Sequence, residues 1–232
     1  MDKSRWNERW AGVFYIIATL APILAVAFVG FLGGGAAGEP IPDYLAQVAS
    51  DEGAVIIGMF IEVIWALAVL LIPIALFSLL KKHGESLALG FLGLRFIESM
   101  SVIVRSIFLL SLLTLGREFA AAGAAEVSLF QSIGSVLVTT REWTFLIGCG
   151  LVWSLSALVL NYLLYRSSLI PRWLSVWGLL GSGLSLATYA VQFYGINMTE
   201  WLFFPIAAQE MVFAVWLIVK GLRPSVASQS TK

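Results

Sequence analysis

The stretch LGLRFIESMSVIVRSIFLL, from Leu92 to Leu110, is apolar enough to cross a bilayer yet carries Arg95, Glu98 and Arg105. A spanning helix needs about 20 mostly apolar residues to cross a hydrocarbon layer about 30 Å thick. An ionised side chain inside that layer costs roughly 2.5–3.5 kcal/mol on the insertion scale, so such groups have partners and often a task. At about 100° per residue, Arg95, Glu98, Ser99, Arg105 and Ser106 fall within an arc of roughly 120° on one helix. A single polar stripe on an apolar helix is predicted to face the interior of a helical bundle, because lipid offers it no partner.

The rest of the chain fits a bundle of that kind. Of 232 residues, 59% are apolar and 12% charged, and the mean hydropathy is +0.92; an ordinary soluble domain carries about twice that share of charge. Six apolar runs, at about 11–33, 54–80, 87–115, 143–165, 173–194 and 201–220, predict six transmembrane helices in one all-α membrane domain covering 1–232. The first run is too long for the apolar core of a signal peptide and is read as a retained span. Lys3, Arg5, Arg9, Lys81, Lys82, Arg166, Arg172, Lys220, Arg223 and Lys232 fall on one side of these spans, and Arg117 and Arg141 on the other. By the positive-inside rule both termini are therefore expected in the cytoplasm. Trp6, Trp10 and Trp173 would lie at the inner interface, and Trp143 and Trp201 at the outer one.

Between the spans the connections are short. Gly33-Gly34-Gly35 and Glu39-Pro40-Ile41-Pro42 close the first span, and Tyr44, Leu45 and Val48 have the spacing of a short interfacial helix. In the longest connection, Gly116 to Glu142, apolar residues recur at Val127, Phe130, Ile133 or Gly134, and Leu137, which predicts an amphipathic helix before span four. Gly178, Gly181, Ser182 and Ser185 mark span five for close packing, and Pro205 is read as a bend near Gln209 and Glu210. Asn161 and Tyr162 read as interface anchors. Asn197-Met198-Thr199 matches a glycosylation sequon and is read as a chance match.

Partners for the stripe can be sought by depth. Counting 1.5 Å per residue from the outer ends, Glu62 lies roughly 12 Å deep and Arg105 roughly 15 Å; from the inner ends, Arg95 is roughly 13 Å deep and Glu210 roughly 15 Å. Glu62 is thus level with Arg105, and Arg95 with Glu210, while Glu98 sits a turn from Arg95. The candidate ligand or ion-pair cluster is Arg95, Glu98, Arg105, Glu62, Glu210 and Gln209. Three Glu against two Arg leave one surplus negative charge, so one carboxyl, Glu98 or Glu210, is expected to hold its proton near neutral pH.

Other chemistry is sparse. Cys149 is the single cysteine, so no intrachain disulfide or cysteine metal cluster can form. His83, the single histidine, lies in a basic turn, which leaves no histidine in a span and excludes a bis-histidine haem. Neither HExxH nor GxSxG occurs, and catalytic residues, metal ligands and cofactors are all expected to be none. With 14 basic and 14 acidic residues, net charge points to no nucleic-acid partner.

Three stretches together resemble a known family: Leu94-Arg95-Phe96-Ile97-Glu98, Tyr165 to Arg172, and Pro205 with Glu210 followed by Trp216 to Gly221. They resemble the prokaryotic six-helix membrane proteins catalogued as domain of unknown function 4386. Arg95, Glu98, Pro171, Pro205 and Glu210 match that pattern, whereas Arg141-Glu142 stands where it has a histidine and an aspartate, which takes weight from the start of span four. The resemblance implies a prokaryotic cytoplasmic membrane and brings no activity with it. Two expectations follow from the buried charges: a small-molecule binding or transport protein, proton-linked through the surplus carboxyl, or a structural or regulatory protein whose ion pairs hold the helices together. An enzyme would have to work with Glu, Arg and Ser alone.

Overall fold

The computed structural model describes residues 3–28, 40–122, 127–196 and 200–223, and among these there are helices and turns but no strand. The Gly33–Gly35 run, Glu39 and the Asn197 sequon lie outside the described residues.

Eight α-helices follow in order: α1 (Lys3–Phe28), α2 (Ile41–Ser50), α3 (Glu52–Leu80), α4 (Glu85–Ala122), α5 (Val127–Thr144), α6 (Trp153–Ser167), α7 (Arg172–Gln192) and α8 (Phe204–Val219). A π-helical segment, Phe145–Val152, joins α5 to α6, so Val127–Ser167 is one unbroken helical run of 41 residues. The amphipathic helix expected before span four is α5, and it runs into that span without a break. No proline interrupts residues 127–167, and the apolar span simply prolongs the amphipathic segment. The buried face of α5 is Phe130, Gly134, Val138 and Arg141; of the two alternatives Gly134 faces inward and Ile133 is exposed.

Among the described residues, five helices are long and apolar enough to cross a membrane: Arg5–Val26, Glu52–Leu80, Glu85–Ala122, Val127–Ser167 and Arg172–Gln192. The sixth apolar helix, α8, has 16 residues, about 24 Å, preceded by a 3-10 turn at Glu200–Phe203. Pro205 sits in the first turn of α8, where its missing N–H costs nothing, so it starts this helix instead of bending it.

Helices α1, α3, α4, α6, α7 and α8 close into a ring, each packed on its neighbours in that order, with α8 returning to α1. Outside the ring, the short helix expected from Tyr44, Leu45 and Val48 is α2, which lies across α4 and α5 with these three residues buried. A Cβ on Gly116 of α4 would stand 2.7 Å from the Leu45 carbonyl oxygen of α2, so only glycine lets this cap seat so closely.

The inward face of α4 orders the whole interior. Ala88 and Phe91 belong to an apolar cluster with Tyr15, Leu76, Leu163 and Phe213 at the end where the chain's first helix begins. Val102 joins Ala21, Trp65, Ala66, Val69 and Cys149 in the middle. Leu109, Leu112 and Leu113 meet Tyr44, Leu45, Val55 and Phe130 at the far end. Between these three apolar clusters α4 contributes first Arg95 and Glu98, then Arg105 and Ser106.

Candidate functional site

Arg95 ties the ring together across its interior. Its Nη2 donates to Glu210 Oε1 on α8 at 3.0 Å and its Nη1 to Glu98 Oε2, one turn along α4, at 3.2 Å. The guanidinium also stands 5.5 Å from the Tyr15 ring of α1 and 5.6 Å from that of Phe91. Trp153 Nε1 of α6 donates to Glu210 Oε1 at 3.2 Å. One layer thus joins α1, α4, α6 and α8, and the Arg95 and Glu98 side chains are 2% and 3% exposed. Arg95 Nε makes no hydrogen bond.

The second layer is centred on Glu62 of α3. Arg141 grips it with both terminal nitrogens, Nη2 to Oε1 at 2.7 Å and Nη1 to Oε2 at 3.3 Å. This fork geometry is the strong form of a charge-assisted hydrogen bond. Arg141 Nη1 also donates to the Arg105 carbonyl at 2.8 Å, and Ser106 Oγ to Glu62 Oε2 at 2.8 Å. Arg105, the partner expected from depth, stands at 3.7 Å from Glu62 Oε1 and lies 4.9 Å from the Phe145 ring centroid. Burial pushes the Tyr44 phenol of α2 above its ordinary value of 10.0, the Arg141 and Arg105 charges pulling it partly back.

Five of the six expected cluster residues are therefore in ion pairs, in two layers seven residues apart on α4, about 10 Å. Gln209 is elsewhere: its Nε2 donates to Asn161 Oδ1 at 3.2 Å and to the Leu174 carbonyl at 3.3 Å. Neighbouring positions on a helix point in different directions, and Gln209 looks toward α6 and α7 while Glu210 looks toward α4. Asn161, read as an interface anchor, is 3% exposed and is this buried partner instead; Tyr162, at 48%, does face outward.

Arg141 is the residue that sequence reasoning missed. It lies at the edge of an outer connection, where a basic residue reads as solvated, and only its phase with Phe130, Gly134 and Val138 signals that it points inward. Its presence changes the charge count. With every group ionised, Arg95, Glu98 and Glu210 sum to −1, Glu62, Arg105 and Arg141 to +1, and the two layers together to zero.

The π segment sets the second relation. Arg141 and Trp153 are twelve residues apart, which at 3.6 per turn leaves them about a third of a turn out of phase. Wider i→i+5 turns rotate less per residue and bring Trp153 back toward the face of Arg141. Gly148 lies in this segment, and a Cβ there would stand 2.1 Å from Ser101 Cβ of α4. The wide turns are thus pressed directly on the helix that carries both layers.

A bundle of apolar helices with two ionic layers packed between them defines a multi-pass helical membrane protein. The family described as domain of unknown function (DUF4386) matches residues 10–221, and the chain belongs to that family. No curated protein and no solved structure matches it.

Proposed function

We propose that this is a multi-pass protein of a prokaryotic inner membrane, with six crossings and both termini cytoplasmic, in which the two ionic layers hold the helices in one register. The observation that carries this reading is that every guanidinium and carboxylate of the cluster has a partner on another helix or on the next turn of α4, all of them buried except Arg105, which is partly so. In hydrocarbon a misregistered helix would strand a charge, so such pairs exclude alternatives even where they add little net stability. Basic residues at the ends of the spans support the orientation through the positive-inside rule. The test is a solvent-accessibility map of single cysteines along α4 in a Cys149→Ser background. Positions 95, 98, 99, 102 and 106 should stay unreactive to a membrane-impermeant thiol reagent while positions 85 and 117 react; labelling of two or more of the inner five would sink the register reading.

A second reading, a binding or transport protein linked to protons, is favoured by the unequal charge of the layers and the π segment between them. Two carboxylates share one guanidinium at Arg95, so a proton on Glu98 or Glu210 would neutralise that layer. π segments are frequent at functional sites. Reconstituted protein should then take up protons in a way that Glu98→Gln or Glu210→Gln abolishes while the fold is kept. Unchanged uptake in both variants would remove this reading.

A further inference from the structure

We propose that the outer side of α8 is a site for an anionic phospholipid, one acyl chain lying along the helix and the phosphate held at Lys220. An open groove of about 420 Å³ runs there, lined by Met211, Val212, Val215, Trp216, Val219 and Lys220. These are positions i, i+4, i+8 and i+1, i+5, i+9, two adjacent ridges of one helix with the trough between them. From Met211 to Lys220 the trough measures about 13 Å, close to one leaflet, half of a hydrocarbon layer of roughly 30 Å. Its wall is apolar for its whole length, and Val215 and Val219 are 54% and 66% exposed.

The polar end decides the occupant. Lys220 Nζ stands 4.6 Å from the Trp216 ring centroid, so the ammonium is held over the end of the trough. Gly221, at φ 74°, ends the helix just beyond it, and Trp216 Nε1 donates to the Gly221 carbonyl at 3.0 Å, which fixes this corner. The carbonyl end of a helix ordinarily repels an anion. Here Arg5 Nη2 from α1 donates to the Val219 carbonyl at 3.2 Å and to that of Ile218 at 3.5 Å. The nearby Glu8 carboxylate is engaged by Arg5 Nη1 at 2.7 Å. Arg223, exposed two residues after Gly221, adds a second cation at the same end. An anionic headgroup therefore meets positive charge with the helix dipole already covered.

The purified full-length chain in detergent would be titrated with phosphatidylglycerol, with phosphatidylcholine of the same acyl chains and with inorganic phosphate, retention being read by native mass spectrometry. Each basic residue near a headgroup favours the anionic lipid by about five-fold, so wild type should retain phosphatidylglycerol at least that much better than phosphatidylcholine. Lys220→Ala should lose most of the preference and Lys220→Arg keep it. Val215→Trp, which fills the trough, should weaken retention of both lipids. Phosphate alone should neither bind nor displace the lipid. Equal retention of the two lipids, meaning annular contact only, would overturn the proposal, as would an undiminished preference in Lys220→Ala or displacement by phosphate.

Discussion

The two ionic layers are built from the same side chains in inverse ratio. Near the end where α1 begins, one guanidinium serves two carboxylates; toward the α2 cap, one carboxylate serves two guanidiniums. The first layer closes the ring across its interior, from α4 to α8, and draws in Tyr15 and Trp153 from two more helices. The second clips α3 and α4 to the start of the long α5–α6 run. Each layer has one member on which everything depends: Arg95 in the first, Glu62 in the second. The others are partly redundant, so importance follows from the count of partners, not from the identity of the charge.

That contrast can be broken at its strongest point by Arg95→Ala, which strands two neighbouring carboxylates. The expected loss is at the upper end of about 3–5 kcal/mol, read as a fall in melting temperature in detergent, and it should exceed that of Arg141→Ala. Equal losses would show that the layers are not inverse in energy as they are in composition. Next, Glu62→Leu strands two guanidiniums at a cost of about 3–5 kcal/mol, and adding Arg141→Leu should recover part of it, with a coupling of roughly 0.5–3 kcal/mol in a double-mutant cycle. Swapping the charges as Glu62→Arg with Arg141→Glu should restore more than the same exchange between Glu62 and Arg105, since Arg141 holds the shorter bonds.

Gly148→Ala probes the link between layers, pressing a methyl group into Ser101 at about 1–3 kcal/mol; Ser101→Gly in the same chain should relieve it, and failure to do so would put the strain elsewhere. The smallest effect is expected at Tyr44, above the second layer. Its phenol ionises less readily in the fold than in the unfolded chain, so its contribution is complete below about pH 10 and is lost as pH rises through the higher folded value. Melting followed from pH 8 to pH 11 should therefore show wild type falling relative to Tyr44→Phe only at the alkaline end. A constant difference would mean that water reaches Tyr44 under α2.

How much of this was legible in sequence depended on periodicity. The polar stripe on α4 emerged because lipid forbids it, and level counting along antiparallel spans paired Arg95 with Glu210 and made Glu62 level with Arg105. The α2 face of Tyr44, Leu45 and Val48 was readable for the same reason. Arg141 was not, because positive-inside reasoning treats a basic residue beyond a span as solvated, whereas α5 continues into α6 without a break and carries it inside. The residue types alone do not announce the π segment, whose Gly148 meets Ser101 of α4, a contact between distant parts of the chain. Gln209 was misplaced because depth fixes a residue's level on a helix and leaves its azimuth open.

The perimeter of the ring has one further effect. Helix α3 has 29 residues, roughly 43 Å, and α8 on the other side of α1 has 16, about 24 Å. On the six-crossing reading proposed above, a bilayer matched to α3 would be too thick for α8. It would thin beside α8, or the molecule would lean until its tall flank fits the acyl layer, each at a fraction of a kcal/mol per Å of mismatch. The protein would then act as a wedge in hydrophobic thickness, and its tilt and its preference among membranes of different depth would follow from that asymmetry.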